Sequence, residues 1–238
     1  MIIFSGIYKK FGDTVVFDNF SDGFEEGCVN CIFAPSGSGK TTLLNMAAGL
    51  LSPDKGTVSG IPDGVSYAFQ EDRLIPQKTA FGNLKFILRN IYPDKKTLEE
   101  TVNRYLAEAG LGDAAELYPR EMSGGMRRRL ALIRAFAYPS ELLLMDEPFK
   151  ALDLALRKDV AGWFSRYRRT VLLVTHDPDE AFLVGDYIHA YSKKPMTLLK
   201  KFKIPGEKGG REIYGNESAE FRKRLLEPAE DGNALGSD

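Results

Sequence analysis

A chain of 238 residues with a net charge of −1, 43% apolar and 27% charged residues has the composition of an ordinary globular protein with ample size for a core. The near-neutral balance excludes the global basic charge of a nucleic-acid binder and gives no reason for attraction to an anionic membrane. No apolar run approaches the roughly 20 residues that span a bilayer, and Met1 to Ser5 lacks the charged and apolar regions of a signal peptide, so the expected compartment is the cytoplasm.

Residues 1 to 33 read as short strands with turns at Gly12-Asp13 and Asp22-Gly23, an antiparallel sheet of the kind that packs beside a nucleotide. Phe11 precedes the first turn and is either a core or hairpin aromatic or a ring stacked on an adenine face. Cys28 to Phe33 reads as a buried strand. Its two cysteines are too few for a four-ligand zinc site, and i and i+3 in a strand face opposite ways, so both are expected as small core or semi-buried residues.

The stretch Ala34-Pro35-Ser36-Gly37-Ser38-Gly39-Lys40-Thr41-Thr42 has the spacing of a phosphate-binding P-loop between a strand and a helix. Gly37 and Gly39 let the backbone curl so that successive N–H groups point at an anion, and the helix start adds partial positive charge. Lys40 is positioned to reach the β- and γ-phosphates, and Thr41 offers a hydroxyl to Mg²⁺. Ala34 stands where the pattern opens with glycine; only a positive φ would exclude alanine strongly, so the change is expected to be mild.

A second apolar strand, Val65 to Phe69, ends in Gln70. At the C-terminal edge of an α/β sheet a polar amide meets Mg²⁺ or an attacking water, or is an ordinary surface glutamine. Residues 79 to 117 show two amphipathic helical patterns, one on Phe81, Leu84, Ile87 and Leu88, the other on Leu98, Val102, Leu106 and Ala109, and form a helical insert. In Met122-Ser123-Gly124-Gly125-Met126, Ser123 caps a helix whose first N–H groups stay open, a second anion-binding end. The triplet Arg127 to Arg129 reads as a solvated helix face.

Glu141 to Pro148 is an apolar strand ending in Asp146 and Glu147, a Walker B pattern. Asp146 is expected to hold Mg²⁺ and Glu147 to polarise the water that attacks the γ-phosphate. Ala151-Leu152-Asp153 leads into a helix bearing Trp163. Val171 to Thr175 is a further buried strand ending at His176, with Asp177 as N-cap and Pro178 at the first helical position. Because it shares the sheet edge with Gln70, Asp146 and Glu147, His176 is expected at the γ-phosphate. Residues 193 to 203 read as an outer strand or hairpin, Ser218 to Leu226 as a helix, and the tail after Pro228 as disordered.

In order and spacing these motifs resemble the ATP-binding cassette (ABC) ATPases over roughly residues 1 to 205. The resemblance implies an α/β fold: a RecA-like P-loop NTPase core with a mostly parallel sheet, an N-terminal antiparallel β subdomain and a helical insert at about 75 to 138, followed by a C-terminal extension from 206. It implies that Phe11 stacks on adenine, Gln70 is the Q-loop glutamine, Ser123 to Met126 the signature, Asp153 the D-loop and His176 the switch histidine. Met122 and Met126 depart from the commoner leucine and glutamine, while the Ser123-Gly124-Gly125 helix start is intact.

The implied activity is hydrolysis of ATP with Mg²⁺, in a homodimer that sandwiches each ATP between the P-loop of one copy and the signature of the other. The implied partners are membrane permease subunits and a solute-binding protein, not nucleic acid, with the chain on the cytoplasmic face of the membrane. Phe69 to Pro76 and the form Ser-Gly-Gly-Met-Arg look most like the subunits serving nitrate, sulfonate, taurine and thiamine-precursor importers. A nucleotide-gated scaffold, or a non-transport member of the same superfamily, is the alternative.

Overall fold

The computed structural model describes residues 1–150, 152–166, 169–206, 211 and 215–227; Ala151 and the tail after residue 227 lie outside them. Two long strands, β1 (Ile2–Phe11) and β2 (Thr14–Phe24), form an antiparallel hairpin. The turn at Gly12-Asp13 is where the sequence places it. Asp22-Gly23, expected as a second turn, instead lies inside β2, and the chain turns at 26–27. A tertiary tie explains the difference, because the Asp22 carboxylate accepts a hydrogen bond from Tyr191 and lies 2.7 Å from Nδ1 of the buried His189. Burial alone would raise the Asp22 pKa, but the bonds and charge of His189, with the Tyr191 bond, hold it below the usual carboxylate range.

After β3 (Val29–Phe33) come the P-loop and α1 (Lys40–Ala47), then β4 (Lys55–Ser59), which joins the first sheet beside β1, and β5 (Val65–Ala68). Three helices follow: α2 (Ala80–Leu88), α3 (Lys95–Glu108) and α4 (Gly124–Ala137). The last third alternates β6 (Leu142–Asp146), α5 (Leu154–Arg166), β7 (Thr170–Thr175), α6 (Pro178–Val184), β8 (Tyr187–Tyr191), β9 (Leu198–Lys203) and α7 (Asn216–Leu226). The outer strand expected over 193–203 is β9, antiparallel to β8.

The main sheet has the order β5-β6-β7-β3-β8-β9 and is parallel except at β9. Its strands are apolar on both faces because both are covered. Leu142, Leu144, Leu172, Val174 and Ile32 face α1 and the three-stranded sheet, while Leu143, Met145, Val171, Leu173 and Cys31 face the helical layer. Each fully buried side chain of this size contributes about 1.5–3 kcal/mol. Leu98, Val102, Leu106 and Ala109 of the expected amphipathic pattern are buried, as are Leu84 and Leu88, with Phe81 and Ile87 half-buried. Cys31 is buried and Cys28 half-buried.

Candidate active site

Parallel register brings the C-terminal ends of four strands to one edge: Phe33 pairs with Thr175, Asp146 with Val174, and Ala68 with Met145. The residues that follow these ends line one cavity of about 550 Å³: Ser36, Gly37, Gly39, Lys40, Thr41, Thr42, Gln70, Asp146, Glu147, Lys150, His176 and Lys194.

The P-loop curls through positive φ at Gly37 (75°) and Gly39 (120°). At Gly39 a Cβ would also stand 2.5 Å from Cγ1 of Val16, so glycine is required there for space as well as conformation. Ala34 is fully buried and has no positive φ, which is why alanine is accommodated. Lys40 folds back and donates to the carbonyls of Ala34 at 2.7 Å and Pro35 at 2.9 Å. Burial lowers its pKa, opposed by the charges of Glu147 and Asp146.

Thr41 Oγ1 donates to Asp146 Oδ2 at 2.6 Å. Burial raises the Asp146 pKa despite that bond; a bound cation would oppose that shift by favouring the ionised carboxylate. No cluster of three or more His, Cys, Asp or Glu that could hold a metal occurs among the described residues. Two hard oxygen donors side by side, with Gln70 bordering the same cavity, nevertheless fit Mg²⁺, which keeps waters and shares phosphate oxygens instead of filling a protein cage.

Glu147 adopts φ 47°, an uncommon conformation for a residue with a side chain and one that clusters at functional sites. Its N–H donates to the carbonyl of Val174, and its own carbonyl accepts from Lys150 N and from Arg128 Nη2. The turn aims its carboxylate at His176, whose Nδ1 lies 3.0 Å from Oε1, and at Lys150, whose ammonium lies 3.6 Å from Oε2. The only non-glycine residues with positive φ besides Glu147, among those described, are Asn19 and Arg73.

The remaining expected site residues lie elsewhere. Phe11 is half exposed at the end of β1, with the Lys9 ammonium 5.5 Å above its ring. Ser123 caps α4 by accepting from Met126 N at 3.2 Å, leaving the N–H groups of Gly124 and Gly125 open; Met122 is buried in the core. Asp153 accepts from Leu156 N at the start of α5. None of these lines the cavity of this chain.

The arginine triplet is not the solvated face its charge suggests. Arg129 donates to the carbonyls of Ala109 and Gly110, and Arg127 to that of Met122. Arg128 is 4% exposed and reaches the carbonyls of Phe69, Gln70, Asp146, Glu147 and Pro148. One signal could have found it: Arg128 shares a helix face with Ala131, Leu132 and Ala135, all buried. Lys150 and Lys194 were also missed; Lys150 had only its spacing from Glu147 as a signal, and Lys194 none.

Among the described residues no helix is long and apolar enough to cross a membrane. The family described as ABC transporter matches residues 17–150. The chain is 39% identical over 235 residues to the sulfate/thiosulfate import ATP-binding protein CysA of Vibrio vulnificus, covering 91% of this chain and 66% of that relative. It therefore spans just under two thirds of that relative's length. It is likewise 39% identical over 188 residues to the aliphatic sulfonates import ATP-binding protein SsuB 3 of Rhodococcus jostii, covering 77% of this chain and 68% of the relative. The sulfonate name falls within the importer subgroup the sequence resembles. Among solved structures, a dimeric ATP-binding cassette in a post-hydrolysis state bound to ADP and Pi superposes with a TM-score of 0.76 at 27% identity, over 87% of this chain and 100% of that one. With more than half of its length matched to the family and these identities across most of the rest, the chain belongs to the ABC transporter family.

Proposed function

We propose that this chain binds and hydrolyses ATP to energise a membrane importer. The observation that carries the proposal is the joint placement of Lys40, the Thr41–Asp146 pair and the Glu147–His176 pair around one cavity. In this reading the P-loop amides and Lys40 hold the phosphate chain, and Phe11 stacks on the adenine. Mg²⁺, held at Thr41, Asp146 and Gln70, neutralises phosphate charge. Glu147 accepts a proton from the attacking water, and His176 orients that carboxylate and meets the γ-phosphate.

The open helix start at Ser123 to Met126 and the Asp153 carboxylate do not border this chain's own cavity, which supports a homodimer in which each copy completes the other's ATP site. Residues 1–205 would form the nucleotide-binding domain, with the insert at about 75–138, and residues 206–238 an extension. The partners are permease subunits at the cytoplasmic face of the membrane and a solute-binding protein. By the names of the relatives, the cargo class is a sulfur oxyanion such as sulfate or a sulfonate.

The test is steady-state ATP hydrolysis against protein concentration, with Glu147→Gln alongside. Removing a positioned general base lowers the rate by about 10² to 10⁴ while ATP binding persists. Turnover near wild type in that variant, or no turnover in any assembly with its partners, would overturn the hydrolytic reading in favour of a nucleotide-gated scaffold.

A further inference from the structure

We propose that Lys194, which lies outside every motif above, is a second cation for the phosphate chain of the nucleotide; this rests on reading the cavity as an ATP site. Residue 194 sits in the 192–197 turn between β8 and β9. That turn is closed on itself, with Ser192 N donating to Thr197 O and Thr197 N to Ser192 Oγ. It is also pinned to β2, because Met196 is fully buried and its N–H donates to the carbonyl of Val16 at 2.9 Å. Val16 is the residue whose side chain backs Gly39, so the turn and the P-loop rest on the same support, and Lys194 borders the phosphate cavity.

The three lysines of that cavity differ in what they already hold. Lys40 is bonded to P-loop carbonyls and Lys150 is paired with Glu147, whereas among the described residues Lys194 makes no hydrogen bond or ion pair. The walls carry lysines 40, 150 and 194 and the carboxylates of Asp146 and Glu147, so with His176 counted neutral the formal charges cancel without Lys194. With it the cavity presents an excess positive charge to a polyanion. An exposed ammonium attracts a phosphate through water-screened Coulomb forces, a modest and salt-sensitive gain. Lys193, its neighbour, does not border the cavity and serves as the control.

The experiment is titration of Mg-ATP into the full chain and the variants Lys194→Ala, Lys194→Arg, Lys193→Ala and Lys40→Ala at low and high salt. Lys194→Ala should weaken binding about three- to tenfold with a flatter salt dependence. Lys194→Arg and Lys193→Ala should bind as wild type. Equal affinity for wild type and Lys194→Ala, with binding lost in Lys40→Ala, would overturn this proposal alone. A wild-type chain that does not bind ATP would overturn the ATP-site reading and this proposal with it.

Discussion

The Arg128 guanidinium donates to carbonyls on two separate segments, the one that carries Gln70 and the one that carries Glu147, at distances of 2.7 to 3.4 Å. Burial lowers its pKa, while Asp72 and Asp146 oppose that shift, and the planar five-donor fork bridges both segments in a way that a single ammonium does not reproduce. Replacing Arg128 with methionine removes the donors from a set of buried carbonyls, at a cost of about 3–5 kcal/mol. We therefore expect a lower denaturant midpoint for Arg128→Met and a fall in kcat out of proportion to any change in ATP affinity, since Lys40 and the P-loop are untouched. Arg128→Lys should recover part of the stability but not kcat. Wild-type kcat in Arg128→Lys would show that the bridge does not position the site.

At the scale of elements, the junction of β7 and α6 sets up a pH response. Asp177 N donates to Thr175 Oγ1, and Thr175 in turn donates to the Glu180 carboxylate, which Arg157 also meets at 3.2 Å. Burial nevertheless pushes Glu180 up to about 7, against the Thr175 bond and the Arg157 charge. The folded chain then holds a proton that the unfolded chain releases near pH 4.5, so stability falls as pH rises through this window and the loss is complete above pH 7. Glu180→Gln fixes the neutral form. Its stability relative to wild type should grow by about 2–3 kcal/mol between pH 5 and pH 8, read from denaturant unfolding at both pH values; parallel curves would refute it.

Much of this architecture was legible because its signals are local. The P-loop, the Ser123 cap and the strand-end carboxylates are set by residues within a few positions of each other, and the continuous apolar runs of β6 and β7 tell of a sheet covered on both faces. What escaped the sequence is set by distant partners. Asp22-Gly23 has turn chemistry, yet His189 and Tyr191 on β8 hold it in a strand. The charge of Arg128 suggests water, yet carbonyls some 20 and 60 positions away receive it. Lys194 reaches the cavity only through Met196 and Val16.

For the whole molecule, the separation of the two anion-binding ends is decisive. If each ATP lies between the P-loop of one copy and the α4 start of the other, two different inactive variants can complement one another. Lys40→Ala disables the P-loop and keeps the helix start. Gly124→Asp does the reverse: a Cβ there has room, with its nearest neighbour at 3.9 Å, and an acid in the first turn favours the helix while repelling a phosphate. Each variant alone should fold and fail to hydrolyse ATP, Gly124→Asp despite an unaltered cavity in its own chain. In an equal mixture, half of the dimers would be mixed and each would regain one of two sites, so recovery of up to about a quarter of the wild-type rate is expected for an isologous pair. Mixed dimers demonstrated by crosslinking that remain inactive would mean that the two ends do not share an ATP, and Gly124→Asp that hydrolyses ATP normally would assign the reaction to one chain.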